Sequence, residues 1–445
     1  MNIALYGASD TGLIIASRLC QEHNVTLVDE LEAPPEKFSN LDISFISGSG
    51  ADIAVLEEIA KEKADVFIAC SVVDESNIIA CHTAKKIIDI ETICFVKKGD
   101  LYNSLITLAK SRFRTQYEID TVIWPERLLT QEIFRIVSVP AAIDVKYFAG
   151  GEAKMFEYKI REDSVICNSR IKDCSFPQNV LIVGITRDHK LFIPDGSTRI
   201  QQDDKVVFIG TSSGLDALAA RFFQNINKIK TAAIIGGGSV GFMLAQKLEE
   251  AGIRVKIIDH NQKRCEYLAN NLKRSMVFNG DGTDLELLES ESIGECDVAV
   301  CVTDNDEKNL LCSLLIKQLS SKRIITRVSN NHNIRLFEHV GIDVIVSPQE
   351  SALKDLHNRL YSEEIDTLAL LHEGQGELLK MKIGKTHEKT RVMDLKLPAD
   401  IIIALIKRGR SIVIPHGESV IRPNDDLIFF TTIKDVDPIK KLFLP

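Results

Sequence analysis

The chain opens with a short apolar run, a glycine turn, a stretch with helical apolar spacing, and a second apolar run ending in an acid: NIALYGASDTGLIIASRLCQEHNVTLVDE at 2–30. The same order returns at 231–260 as TAAIIGGGSVGFMLAQKLEEAGIRVKIIDH. The pattern predicts strand, turn, amphipathic helix and strand in both places. SGSGADIAVLEEI (47–59) is answered by NGDGTDLELLES (279–290), and VVDESNIIACHTAKKI (72–87) by TDNDEKNLLCSLLIKQL (303–319). A short strand, a helix and then IDTVIWPE (119–126) or IDVIVSPQE (342–350) follow in each copy. Strands alternating with helices over about 130 residues predict a parallel sheet covered on both faces, doubly wound, with its ligand crevice at the strands' carboxyl ends.

A different pattern closes each half. RIKDCSFPQNVLIVGITRDHKLFIPDGSTRIQQDDKVVFIG (170–210) pairs with RVMDLKLPADIIIALIKRGRSIVIPHGESVIRPNDDLIFFT (391–431). Pro177 answers Pro398, Pro194 answers Pro415, Gly196 answers Gly417, and Asp204 answers Asp425. Short β-branched segments broken by turn residues predict a small β-rich lobe. The fold class is therefore α/β: two doubly wound, parallel-sheet, Rossmann-like lobes, each followed by a small α+β lobe. The expected divisions are 1–130, 131–225 (crossover segment and small lobe), 226–352 and 353–445 (crossover segment and small lobe).

Composition narrows the function. A content of 45% hydrophobic and 26% charged residues is that of a globular protein, and no apolar run is long enough to span a bilayer. The first residues lack the pattern of a secretory signal. The net charge of −9, with only short basic clusters such as 110–114, argues against nucleic acid as a partner. The ten cysteines stand singly, without a C-x-x-C pair, as reduced core residues do.

The chemistry lies in the glycine turns. Gly236-Gly237-Gly238-Ser239-Val240-Gly241 is a full G-x-G-x-x-G after a predicted strand and before a predicted helix. Its glycines suit a tight turn, close approach to a pyrophosphate, and close packing of helix on strand. The helix N-terminus favours phosphate. Asp259, 23 residues after Gly236, is placed to accept hydrogen bonds from ribose hydroxyls. With no arginine next to it, it favours NAD or an adenosine nucleotide over NADP. The first half reads Gly7-Ala8-Ser9-Asp10-Thr11-Gly12, with Ser9 at the close-approach position, and Asp29 follows 22 residues after Gly7. Strand ends supply further candidates: Gly282, Thr283, Thr303, Asp304 and Arg327 in the second half, and Gly50, Ala51, Ser71 and Val72 in the first. No arginine answers Arg327, so the second site is expected to bind more strongly. Asp74-Glu75 and Asp306-Glu307, before helices, read as dipole-complementing caps. The crossover helices near 126–138 and 349–361 carry apolar residues that suit either docking between modules or ordinary core.

The doubled lobe order, the paired small-lobe pattern at 176–208 and 397–429, and the stretch IDTVIWPERLLTQEIFRIVSVPAAIDVKYFAGGEAKM (119–155) resemble the TrkA family, whose members carry two RCK modules. The resemblance covers essentially the whole chain. It implies NAD(H) and also ATP or ADP as ligands, no catalytic residues and no bound metal. It also implies a homo-oligomeric ring, a dimer or tetramer, at the cytoplasmic face of the membrane beneath a potassium-translocating subunit of the TrkH or TrkG kind. The alternatives are an RCK regulator of another cation transporter and an NAD-dependent oxidoreductase. Against the latter, His82, His189, His357 and His416 join no acid–base constellation of recognisable spacing.

Overall fold

In the computed structural model of the chain, the apolar runs become the strands of two six-stranded parallel sheets. The structure describes residues 1–110, 117–138, 142–148, 152–222, 229–319, 323–330, 333–360, 365–371, 375–384, 388–409, 411–432, 439 and 442–443. From position 111 on, the basic cluster at 110–114 lies outside the described residues. In the first sheet the strands lie in the order Ser44–Ser47, Asn24–Asp29, Asn2–Tyr6, Val66–Ala69, Glu91–Phe95, Thr121–Ile123. The second repeats it with Met276–Asn279, Arg254–Asp259, Thr231–Ile235, Val298–Cys301, Ile324–Arg327, Val344–Val346. Val66–Ala69 and Val298–Cys301 are buried along their whole length, as central strands covered on both faces must be. The strand order reverses between the first and fourth strands of each lobe, and a crevice opens there at their carboxyl ends.

The helix after each parallel sheet crosses to the other half. Pro125–Ser138 begins on proline, which suits a first helical position where no N–H is needed. It buries Leu129, Ile133, Ile136 and Val137 in the core of the second lobe, with Val240, Leu244 and Leu248. Pro348–Leu360 returns the exchange, placing Ala352 and Leu356 beside Ile15, Leu19 and Phe38 of the first lobe. Each large side chain so buried contributes about 1.5–3 kcal/mol before entropy is counted. The two helices also pack on each other. There the nearly buried Glu132 accepts hydrogen bonds from the Ser351 hydroxyl and, at 3.0 Å, from the Lys354 ammonium. A buried carboxylate needs such partners. The crossover residues are thus core residues, but of the opposite lobe.

The small lobes are five-stranded antiparallel sheets. One face of each meets the other, bringing Val183, Val207 and Ile209 against Leu378, Leu405, Ile428 and Phe430. In the first small lobe the helix Ser212–Phe222 covers the far face, with Leu215, Leu218 and Phe222 over Phe156 and Phe208. The repeated aspartates have structural work. Asp204 takes two hydrogen bonds of 2.8 Å from Arg187, and Asp425 takes bonds of 2.8 and 2.7 Å from Arg408.

Candidate functional site

The second glycine turn is shaped by contacts that only glycine permits at two positions. Gly236 has φ +105°, and a Cβ there would lie 2.9 Å from the Thr303 nitrogen. A Cβ on Gly241 would lie 2.0 Å from the Gly236 carbonyl oxygen. These glycines hold strand Thr231–Ile235 and helix Ser239–Glu250 close together. Gly238 differs: a Cβ there would meet nothing within 4 Å, so open space lies over the first turn of the helix. Free N–H groups and the positive dipole end make that space favourable for phosphate.

Asp259 ties its strand end to the turn. One carboxylate oxygen accepts the Gly237 N–H at 2.7 Å and the other the Asn261 N–H at 2.8 Å. Each oxygen keeps a lone pair for a ribose hydroxyl. A cavity of about 350 Å³ joins Gly236, Gly238, Ser239, Val240, Asp259, Gly282, Thr303, Asp304 and Arg327, all anticipated from the sequence. Of the remaining second-half candidates, Gly237 packs on Leu268 and Asp259, and the Thr283 hydroxyl donates to Asp281 at 2.9 Å.

The cavity also holds residues that the sequence reading missed: His260, Arg264, Asp281 and Lys308 from the second lobe, and Glu126 from the first crossover helix. The N–H and hydroxyl of Thr283, aided by the Lys308 ammonium 3.2 Å away, hold the Asp281 carboxyl below its ordinary range. Cys312 also borders the cavity, but burial pushes its thiol up to about 12, so it is no nucleophile at neutral pH.

The acids read as helix caps do stand in the first turns of their helices, and two of them have a further role. Asp306 accepts the N–H groups of Ser329 (2.8 Å) and Asn330 (3.0 Å), and Asp74 those of Lys97 (2.9 Å) and Lys98 (2.8 Å). Each carboxylate therefore fastens the loop after the fifth strand, a long-range role that local spacing does not reveal. Asn309 and Asn77, both buried, complete the fastening. Asn309 accepts the Thr303 N–H at 2.9 Å and donates to the carbonyls of Thr303 and Arg327, and Asn77 does the same for Ser71 and Phe95. The shared Asp-Glu-x-Asn was the available signal.

The first crevice has the same backbone under different side chains. Gly7 has φ +113°, and Asp29 accepts the Ala8 N–H at 2.7 Å. Ser9, however, donates its hydroxyl to the Cys70 carbonyl at 2.7 Å and accepts the Gly12 N–H at 3.1 Å. Asp10 pairs with Lys37 at 2.7 Å. The Tyr6 ring packs under Gly50, where a Cβ would lie 2.6 Å from it. Beside the crevice lies a recess of about 20 Å³, the room of about one water, bordered by Thr11, Cys70, Ser71, Asp74, Phe95 and Lys97. Among the first-half candidates, Thr11 and Ser71 border it; Val72 is 67% exposed, and Ala51 lies beyond it with Gly50. Pro34, Ser76 and Phe95 stand where the second half has Arg264, Lys308 and Arg327.

Among the described residues, no group of three or more histidine, cysteine or acidic residues is placed to hold a metal, and no helix is long and apolar enough to cross a membrane. The TrkA-N domain matches residues 3–110 and 232–348, and the TrkA-C domain matches 155–222 and 388–444. The Trk system potassium uptake protein TrkA homolog 1 of Methanosarcina mazei is 32% identical over 456 residues, covering all of both chains. The Trk system potassium uptake protein TrkA of Haemophilus influenzae is 28% identical, covering all of this chain and 99% of its own. Among solved structures, the GsuK RCK domain superposes with a TM-score of 0.64 at 19% identity, over 99% of this chain and 94% of that one. The GsuK channel bound to NAD gives 0.63 at 19% identity, over 99% and 78%. At that identity the likeness is one of fold.

Proposed function

The chain belongs to the TrkA family, and on that premise we propose that it is a nucleotide-sensing regulatory subunit that gates a potassium-uptake protein of the membrane. The partner is a TrkH- or TrkG-type subunit, reached from the cytoplasmic side by a homo-oligomeric ring of these modules. The ligand is NAD or NADH, with ATP or ADP competing for the same crevice. The observation that carries the reading is the 350 Å³ cavity of the second lobe, where glycine turn, Asp259, Arg264, Lys308 and Arg327 share a wall with Glu126 of the first half.

The binding roles follow from the chemistry of each group. The pyrophosphate takes the open space over Gly238 at the helix N-terminus, and Asp259 accepts the ribose hydroxyls. Lys308 and Arg327 offset the phosphate charge. Because Glu126 comes from the first half, a ligand in this cavity touches both halves, and its affinity depends on how they sit. A ligand that binds one arrangement better shifts the population toward it, and an attached transporter reads that shift. The first crevice binds more weakly, because the Ser9 side chain stands at the close-approach position and no cation stands at the positions of Arg264, Lys308 and Arg327. The relatives' names as potassium uptake proteins support regulation rather than catalysis.

The test has two arms. Calorimetry with NADH, NAD, ATP and ADP should give one strong site per chain. Potassium uptake should change when the chain is deleted and return when it is restored, and a detergent-solubilised TrkH-type subunit should co-purify with it. Unchanged potassium flux on deletion would sink the regulatory reading.

A further inference from the structure

Spacing alone drew no attention to Arg264, yet the fold brings it to Gly237, the residue whose N–H Asp259 binds. Arg264 lies in the helix Gln262–Asn271, and its side chain turns back over the glycine turn. Its Nε donates to the Gly237 carbonyl at 2.5 Å and an Nη to the Gly238 carbonyl at 3.2 Å. The guanidinium lies 4.7 Å from the centroid of the Tyr267 ring and 5.6 Å from that of Phe242. Those two rings meet edge-on at 5.4 Å. Two carbonyls and two aromatic rings therefore fix the guanidinium in place, while the side chain still borders the cavity.

Its position names what it meets. The Gly237 carbonyl that it grips belongs to the residue whose N–H is bound to Asp259. With phosphate at Gly238 and ribose hydroxyls at Asp259, the base of the same nucleoside must leave the ribose on the side away from the pyrophosphate, over this helix. A planar, weakly hydrated cation with fixed orientation is a stacking surface for a base.

Resting on the nucleotide reading above, we infer that Arg264, backed by Tyr267 and Phe242, stacks on the base and makes the second crevice selective for purine over pyrimidine nucleotides. The two-ring base covers more of the shelf than the one-ring base. The first half carries Leu13, Pro34 and Lys37 at the matching positions, so the shelf exists only in the second.

The experiment is calorimetry on the full chain with ATP, GTP, CTP and UTP, for the wild type, Arg264→Lys, Arg264→Ala and Tyr267→Ala. The wild type should bind ATP and GTP about ten-fold tighter than CTP and UTP, the size of one base-stacking contact. Arg264→Lys keeps the charge but not the plane and should bring the ratio close to one, as should Arg264→Ala. Tyr267→Ala, at a half-exposed residue, should lower the ratio in the same direction. Equal weakening of all four nucleotides would make Arg264 a clamp on the glycine turn and overturn the inference. So would a wild type without purine preference, or NADPH bound tighter than NADH with that preference lost in Arg264→Ala, which would assign the arginine to a 2′-phosphate. A wild type that binds no nucleotide at all overturns the underlying reading as well, which separates the two failures.

Discussion

Replacing Gly238 with serine puts into the second half the residue that the first half carries at the same place, Ser9. The backbone accepts it: Gly238 has φ −60° and ψ −164°, and Ser9 has φ −74° and ψ 174°. Both are extended conformations open to any residue, and a Cβ at 238 would meet nothing within 4 Å. By the precedent of Ser9, the new hydroxyl would accept the Gly241 N–H and donate to the Val302 carbonyl. Serine is slightly better than glycine as an N-cap, and losing glycine's freedom in the unfolded chain adds about 0.4–1 kcal/mol. Folding stability should therefore hold or rise by up to about 1 kcal/mol. Binding should move the opposite way, because the new side chain stands where phosphate approaches the helix. Losing the helix-terminus interaction costs about 0.3–2 kcal/mol, and displacing the pyrophosphate adds to it. The expected outcome is NADH affinity at least about ten-fold weaker, or about 1.4 kcal/mol. Calorimetry measures the affinity and thermal unfolding the stability, on the same preparation. Wild-type affinity in a stable variant would refute the placement of the phosphate. A lowered melting point would refute the account of the backbone.

Three further outcomes follow from the same geometry. Asp259→Ala should weaken NADH binding about ten-fold or more, since it removes the ribose acceptor and frees the Gly237 N–H, while Asp29→Ala should leave the total affinity nearly unchanged; equal losses in calorimetry would contradict the inequality of the two crevices. Leu356→Ala removes a side chain that the second crossover helix buries in the first lobe, so it should cost about 2–5 kcal/mol in urea unfolding; a cost near zero would argue against the exchange of helices. Burial pushes the His357 imidazole down from 6.5 to about 4. Its contribution is whole above pH 6.5 and is lost as pH falls toward 4, because the unfolded chain takes up a proton that the folded chain resists. The limit is about 3 kcal/mol, and His357→Gln should flatten stability over that window; a slope identical to wild type would assign the acid sensitivity to other groups.

Much of the fold was open to reading because its strands lie in parallel sheets covered on both faces. Such strands are continuous apolar runs, and the glycine turns and acids between them recur at matching distances in the two halves. The exchange of crossover helices was not. Leu129, Ile133 and Ile136 form an apolar face whichever lobe receives it, and nothing local tells one sheet from its near-copy. Length and loop geometry decide that, through contacts more than a hundred residues apart in sequence. The second role of Asp74 and Asp306 was hidden for the same reason: an acid at a helix start reads as a dipole partner, and only the assembled crevice shows the loop N–H groups it also holds.

The glycine motif located the candidate site but described only its floor. Arg264 stands on a helix at a spacing that belongs to no motif, Lys308 fills the variable position of Asp-Glu-x-Asn, and Glu126 arrives from the other half of the chain. Those residues, with Gly238 in place of Ser9, separate the two crevices, because the first and last glycines of the turn and the ribose acids are shared. Duplication preserved the backbone of both halves, the fastening asparagines and the exchanged helices, all of which the fold needs. The crevice side chains differ between the halves. In the first, Ser9 and Tyr6 satisfy their own polar and packing needs within the protein. In the second, open space over Gly238 and a ring of cations leave the helix N-terminus to be satisfied from outside. On the proposed reading, a ligand in a site bordered by both halves acts on their relative arrangement through its different affinity for each arrangement.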